Sequence, residues 1–210
     1  MLSRTKSGKR DLSPLSLPVW LTSPAPPESR PPRPLAPSQI VEDADTAPPP
    51  TVEMREAARR GTLLHSLFER LPGVPESDRL RLALKWLSGQ GITQEAREEI
   101  AAAACSVIGN PDYADLFGEN SLAEAPIAAT LPDGRVIAGA VDRLCIGLDI
   151  VRVVDFKTGR LVPADLDGVP LPHRSQMHAY VQALRVIFPA RRIEASLLYT
   201  SGPKLITLPG

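Results

Sequence analysis

The stretch that decides the fold is VIAGAVDRLCIGLDIVRVVDFK, residues 136–157. It contains two runs rich in β-branched residues, 136–146 and 151–157, on either side of a Gly-Leu-Asp turn at 147–149. Such runs, separated by turn residues, are typical of strands that pair with each other. The sequence therefore predicts an antiparallel pair of strands at the centre of a sheet.

Three charged residues stand near the ends of these apolar runs. Antiparallel pairing across the turn places Asp142 opposite Asp155. Because side chains alternate along a strand, Asp155 and Lys157 share one face, and Phe156 points to the other. Two carboxylates and an ammonium are therefore expected within a few ångströms of one another.

This arrangement has two interpretations. Two close carboxylates repel each other, and a hard divalent cation such as Mg²⁺ relieves that repulsion. Such a cation activates water and neutralises charge on a phosphate oxygen, and Lys157 would orient the water and stabilise the developing negative charge. The alternative is an ion pair between Lys157 and one aspartate on a solvated strand end, with no catalytic role.

Helical periodicity precedes the strands. Residues 53–71 carry a leucine stripe, and His65 and Glu69 share a different face of the same helix. A lone histidine is usually structural, so a metal-binding role for His65 is one of two alternatives. Gly61-Thr62 either begins a second helical segment or merely weakens the helix. Two more helices are predicted over residues 77–87 and 93–108.

The remaining elements are strands and one helix. A strand at 121–130 leads into a Pro-Asp-Gly hairpin turn at 132–134. A helix at 173–188 presents Gln176 and Tyr180 on one face, which suits contacts to a phosphate or a base, although a surface pair is the alternative. Two closing strands are predicted, at 194–200 and 205–208. The order predicts one α/β (α+β) domain with a mixed sheet.

Proline divides the chain of 210 residues unequally. More than half of its 23 prolines lie in residues 1–50, where they remove backbone donors and oppose a packed core. We expect a proline-rich linker or tail there, disordered or docking in extended form, and a folded domain over 51–210. The apolar cluster at 17–21 either docks on a neighbouring surface or is incidental.

Composition excludes several classes of function. With 24 basic and 24 acidic residues, the chain is not a globally basic nucleic-acid binder, although a local patch or metal-mediated binding is compatible. Cys105 and Cys145 form no CxxC pair, so no iron–sulfur cluster is expected from this chain, and free thiols suit a reducing cytoplasm. The sequence contains no GxxxxGK[ST] motif, so no ATP site is predicted in this chain. No apolar run is long enough to span a membrane.

Four short motifs occur in a fixed order along the predicted helix, two strands and helix. They are GxxxH (Gly61, His65), GxxD (Gly139, Asp142), DxK (Asp155, Lys157) and QxxxY (Gln176, Tyr180). In this order they resemble the RecB-like branch of the PD-(D/E)XK nuclease superfamily. The resemblance implies a restriction-endonuclease-like αβββαβ core, with extra N-terminal helices here, and metal-dependent cleavage of DNA phosphodiesters.

The resemblance also implies a role for each motif residue. The implied metal ligands are His65, Asp142, Asp155 and the backbone carbonyl of Phe156. The implied catalytic residues are Asp142, Asp155 and Lys157. Gln176 and Tyr180 would support the site and contact DNA, and Glu124 is a possible further acidic member.

The local text at 60–65, 154–159 and 198–203 is similar to the C-terminal nuclease domain of the AddA family of bacterial helicase–nuclease subunits. This implies a cytoplasmic Mg²⁺-dependent exonuclease (Mn²⁺ being possible) in double-strand break repair and recombination. Its partners would be DNA, delivered as a single strand by a helicase motor, and an AddB-like subunit. No motor is encoded here, so a fragment, a truncated frame and a stand-alone RecB-like nuclease are all compatible. The alternative from another class is a non-catalytic module that binds a partner subunit.

Overall fold

The computed structural model of the chain describes residues 34–37 and 51–209. A five-stranded mixed sheet has the order β1-β2-β3-β4-β5. Its strands are β1 (Ser121–Thr130), β2 (Val136–Ile146), β3 (Ile150–Lys157), β4 (Arg192–Tyr199) and β5 (Lys204–Leu208). Only the β3–β4 pair is parallel, and the other three neighbouring pairs are antiparallel. The parallel pair requires a crossover, which a helix provides.

Helices cover both faces of the sheet. They are α1 (Val52–Arg70), α2 (Glu76–Ser88), α3 (Gln94–Ile108) and α4 (Leu171–Ile187), with a short 3₁₀ helix at Pro111–Phe117. The first three helices share a core cluster with Val154 and Phe156 of β3, whereas α4 shares the other with Val151 and Val153. The alternation predicted for this strand is therefore confirmed, with one layer of helices on each side.

The predicted fold class and element order are confirmed. The bounds of β1 and β2 agree with the predicted ones, and Thr93 caps α3 by accepting a hydrogen bond from the backbone N–H of Ala96 at 3.3 Å. The sequence did not predict the 3₁₀ helix, because its seven residues are too few for a helical periodicity to be recognised. The predicted start of α4 at His173 is two residues late, because Pro172 lies in the first helical turn, where proline is well tolerated.

Glycine 61 lies inside α1, which continues through it without a break. A Cβ added at Gly61 would lie 2.7 Å from Oγ1 of Thr158, the residue that follows β3. The glycine therefore neither ends the helix nor caps a second one. It allows α1 to pass close to the end of β3, where the charged residues of the strand are found.

Replacing Gly61 with leucine should destabilise the fold by about 1–3 kcal/mol, because the added side chain overpacks the contact with Thr158. Urea denaturation measures the change in the free energy of unfolding. Thr158→Ala in the same protein should recover part of the loss. Gly73→Leu is the matched control, since a Cβ there meets nothing within 4 Å. Equal losses at the two glycines would contradict the role of the contact.

Most of the predicted proline-rich tail, including the apolar cluster at 17–21, lies outside the described residues. Within the segment 34–37, Leu35 pairs in parallel with Ile137 of β2. The backbone N–H of Leu35 donates to the carbonyl of Val136 at 2.8 Å, and its carbonyl accepts from Ala138 at 3.1 Å. Leu35 thus forms a single bridge to β2, at a level that the β2–β3 ladder does not reach. The domain boundary at residue 50 stays a prediction.

Among the helices in the described part of the chain, none combines the length and the apolar character that crossing a membrane requires.

Candidate active site

The β2–β3 ladder ends just before the charged residues. Its last pair joins Arg143 to Val154, in the register that the sequence predicted. Beyond that pair, Oδ2 of Asp142 accepts a hydrogen bond from the backbone N–H of Phe156 at 2.5 Å. The carboxylate of Asp142 thus takes the place of the next ladder bond. This contact fixes the orientation of the carboxylate at the opening between the two strands.

The backbone is irregular on both strands at this level. Glu124 of β1 stands opposite Asp142 between regularly paired neighbours, and its φ of 46° lies in the left-handed region. On β2, Val141 and Leu144 pack in the same core cluster although a regular strand would send them to opposite faces. Strained positions of this kind are common at functional sites. Here they bring the carboxylates of Glu124 and Asp142 together.

Three potential metal ligands converge at this point. Within the described residues, His65, Glu124 and Asp142 each offer one ligand atom, and these atoms lie within 4.8 Å of one another. Nδ1 of His65 lies 3.3 Å from Oδ1 of Asp142. Two carboxylates and an imidazole fit an oxygen-preferring divalent ion such as Mg²⁺ or Mn²⁺. The donor set is therefore chemically suited to the metal that the sequence predicted.

Unbalanced negative charge in this group shifts the pKa values of its members. Burial lowers the pKa of His65, but its hydrogen bond to Asp142 and the charges of Asp142, Asp155 and Glu124 outweigh that effect and raise it. Burial and the carboxylate of Asp142 raise the pKa of Glu124. Raised pKa values of both an imidazole and a carboxyl group indicate an excess of negative charge in the cluster, and a bound cation would neutralise that excess.

A second group of side chains forms a closed hydrogen-bonded ring beside the first. Nζ of Lys157 lies 2.7 Å from Oδ2 of Asp155 and donates to Oε1 of Gln176 at 2.8 Å. Nε2 of Gln176 donates to Oδ1 of Asp155 at 2.9 Å. The side chains of Lys157 and Asp155 are only 17% and 7% exposed. The ion pair of Lys157 with one aspartate, which the alternative interpretation predicted, is therefore present, but it is buried and does not lie on a solvated strand end.

Comparison with known families supplies the decisive observation. The model of the PD-(D/E)XK nuclease superfamily matches the chain over residues 40–206.

The chain belongs to the PD-(D/E)XK nuclease superfamily.

A search of the curated proteins finds no match. Among solved structures, the crystal structure of SSO0001 is similar, with 17% sequence identity, coverage of 70% of this chain and 76% of that chain, and a TM-score of 0.32. This distant likeness adds nothing to the family match. Membership of the superfamily indicates a metal-dependent nuclease, and DNA is the substrate that such a domain implies.

The QxxxY pair of this PD-(D/E)XK domain is buried. Gln176 is 9% exposed and Tyr180 is 2% exposed, so the alternative of a surface pair is wrong. The phenol of Tyr180 donates to the carbonyl of Ala140 at 3.0 Å, and Nε2 of Gln176 lies 3.4 Å from the phenol oxygen. Burial raises the pKa of Tyr180 to about 12. Tyr180 thus stays a neutral donor that ties α4 to β2.

Asp155 lies beside the group of three potential ligands, and both of its oxygens accept hydrogen bonds from the ring. Burial and the charge of Asp142 raise its pKa to about 6, although Lys157 and His65 favour the charged form. The Phe156 backbone amide contacts Asp142. Metal ligation by Asp155 and by the carbonyl of Phe156 stays a prediction. The three charged residues expected to lie close together divide between two adjoining groups. Asp142 belongs to the group of potential metal ligands, and Asp155 and Lys157 belong to the ring.

Two residues beside Lys157 carry no match to a superfamily motif. Tyr199 stands opposite Lys157 in the β3–β4 register, and its hydroxyl lies 3.1 Å from Nδ1 of His173 at the start of α4. Helical spacing offers one signal for His173, because it lies three residues before Gln176 and hence on the same face. Tyr199 lies within the local text at 198–203, but that text does not reveal its place beside Lys157, which depends on strand pairing.

Replacing Glu124 with glycine should stabilise the metal-free protein by about 1 kcal/mol, because glycine adopts the left-handed conformation without strain. The same change should weaken Mn²⁺ binding, since it removes one carboxylate. Thermal unfolding and titration calorimetry measure the two effects. Glu124→Gln separates them, because it removes the charge and keeps the strain. If glycine and glutamine give the same stability, backbone strain is not the source.

Proposed function

We propose that this chain is a Mg²⁺-dependent exodeoxyribonuclease domain of the AddA type, with Mn²⁺ as a possible substitute, acting in double-strand break repair and recombination. The observation that carries the proposal is the buried Lys157–Asp155–Gln176 ring directly beside the convergent His65, Glu124 and Asp142 ligands. A protein that had lost catalysis would have no need to keep a charged ring buried, since such charges cost free energy.

His65, Glu124 and Asp142 would hold the metal, with Asp155 as a further ligand. When bound, a divalent ion there supplies an activated water and neutralises charge on the phosphate. The chain prepares the ligands in advance. The Phe156 amide orients the carboxylate of Asp142, and the rings of Phe156 and His65 pack in a T-shaped arrangement with centroids 5.9 Å apart.

Lys157 would stabilise the negative charge that develops on the scissile phosphate. Its ammonium has three N–H groups. Asp155 and Gln176 engage two of them, which leaves one for a phosphate oxygen or the attacking water. Because the ring fixes the ammonium before substrate arrives, little reorganisation is needed in the transition state. Gln176 positions Lys157, and Tyr180 anchors the helix that carries Gln176.

The AddA assignment explains how a chain with no net charge can act on DNA. A helicase motor would deliver a single strand to the site, so the nuclease domain need not bind DNA tightly by itself. An AddB-like subunit would be the protein partner, and the complex would lie in the bacterial cytoplasm. These partners rest on the motif resemblance, together with the superfamily membership.

Cleavage assays test the proposal. The purified chain should degrade end-labelled linear DNA, single-stranded or duplex, with Mg²⁺ or Mn²⁺, and EDTA should stop the reaction. Closed circular DNA should be spared, because an exonuclease needs an end. Cutting of circles would replace the exonuclease assignment by an endonuclease. Metal binding and capture of an AddB-like subunit without any turnover would favour the partner-binding module instead.

A further inference from the structure

The active-site face of α4 extends beyond the QxxxY motif. His173, Gln176 and Tyr180 follow one another at spacings of three and four residues, which places them on one side of the helix. Gln176 and Tyr180 are buried against the sheet, whereas His173 in the first turn is partly exposed. His173 is therefore the member of this face that solvent, and hence a substrate, can reach.

Tyr199 holds the imidazole of His173 in place. Its hydroxyl lies 3.1 Å from Nδ1, and the tyrosine side chain is 1% exposed on β4 opposite Lys157. A buried phenol cannot follow the imidazole into solvent, so this contact limits the directions that the ring can take. Within residues 51–209, Nε2 of His173 has no hydrogen-bond partner. One ring nitrogen is thus fixed by the protein, and the other has no partner among those residues.

The imidazole is neutral in this environment. Burial and the ammonium of Lys157 lower the pKa of His173 to about 4. Tyr199, whose hydroxyl contacts the imidazole, is the register partner of Lys157, so the imidazole and the ammonium both adjoin this end of the β3–β4 pair. A neutral imidazole donates from one nitrogen and accepts at the other.

We propose that His173 contacts the DNA substrate, donating a hydrogen bond from Nε2 to a phosphate oxygen next to the one that Lys157 engages, and that Tyr199 positions it. A phosphodiester oxygen only accepts, so substrate binding selects the tautomer with the proton on Nε2. The phenol of Tyr199 then donates to Nδ1 and keeps that tautomer. This inference rests on the proposed nuclease function and adds a substrate-contacting residue outside the four motifs.

Three substitutions test whether the hydrogen-bond donor of His173, or only the size of its side chain, is responsible for the effect. His173→Leu removes the donor. His173→Gln places an amide N–H close to the position of Nε2 and should restore much of the effect. Tyr199→Phe removes only a hydroxyl whose partner is His173. His178→Leu is the matched control, because His178 lies exposed on the same helix and lines a cavity with Gln182 and Arg135, away from the ring.

Two measurements are made on each variant of the full chain. Fluorescence anisotropy of a labelled oligonucleotide with Ca²⁺ in place of Mg²⁺ gives the Kd without requiring turnover, and cleavage with Mg²⁺ gives kcat and KM. We expect His173→Leu to raise Kd and KM on the order of tenfold, as for a lost bond to a charged group. Tyr199→Phe should have a smaller effect in the parent and none in the His173→Leu background.

The outcomes distinguish this inference from the proposed function. If the parent cleaves DNA and His173→Leu matches it in Kd and KM, the inference is overturned and the nuclease stands. If the parent does not cleave, the proposed function fails, and the Kd values still decide whether His173 contacts DNA. Additive effects of Tyr199→Phe and His173→Leu would overturn the positioning role of Tyr199. A loss that His173→Gln does not recover would show that bulk, not donation, is responsible.

Discussion

The Lys157→Met variant should lose DNA cleavage by about 10²- to 10³-fold in kcat or more, the range seen when a preorganised donor is removed from a transition state. The ammonium of Lys157 is buried in the ring with Asp155 and Gln176, so no solvent-borne cation replaces it. Methionine keeps most of the apolar stem and removes the charge. Single-turnover cleavage with Mg²⁺ measures the loss in the chemical step.

The same substitution should change the titration of Asp155. Burial and Asp142 raise its pKa to about 6, and Lys157 opposes that rise. Without the ammonium, the pKa should rise further, so the metal-free variant holds its proton to higher pH than the parent. Carboxyl resonances in an NMR titration report the change. Lys85→Met, on the exposed side of α2, is the control for cleavage and should retain parental activity. Full activity of Lys157→Met would remove the catalytic assignment of the ring.

The Asp142→Asn variant should lose both metal binding and cleavage. Changes to groups that merely orient a ligand cost about 10- to 100-fold in metal affinity, and loss of a charged ligand should cost at least as much. Asparagine keeps an oxygen that can accept from the Phe156 amide, so the hydrogen bond that closes the end of the β2–β3 ladder survives. The local fold is therefore preserved while the charge is removed. Titration calorimetry with Mn²⁺ gives the affinity.

Asp149→Asn is the matched control, because Asp149 is an exposed aspartate in the turn that joins the same two strands. Its metal affinity should equal that of the parent. Circular dichroism should show the same secondary structure in both variants. Parental Mn²⁺ affinity in Asp142→Asn would show that the convergence of His65, Glu124 and Asp142 is not a metal site.

Strand periodicity and turn chemistry predicted most of the fold. Alternation along β3 correctly assigned Asp155 to one face and Phe156 to the other, and the Gly-Leu-Asp turn gave the β2–β3 register. Local patterns succeed here because each strand must bury a specific face, and slippage by one residue would exchange the two faces. The role of Gly61 was harder to predict. A glycine in a helical pattern does not reveal that any side chain there would collide with Thr158, a residue nearly one hundred positions further along the chain.

The sequence by itself determined the element order and the mixed sheet and predicted the residues of the candidate site, because periodicity and motif spacing are local properties of the chain. Only the tertiary structure decided how those residues divide. It placed His65, Glu124 and Asp142 in one group, enclosed Lys157 with Asp155 and Gln176 in another, and brought Tyr199 to His173. These groupings depend on where the β2–β3 ladder ends, on the left-handed backbone of Glu124 and on the parallel pairing of β3 with β4. The parallel pairing joins segments far apart in the chain, and no periodicity along β1 or β2 marks the left-handed residue or the end of the ladder.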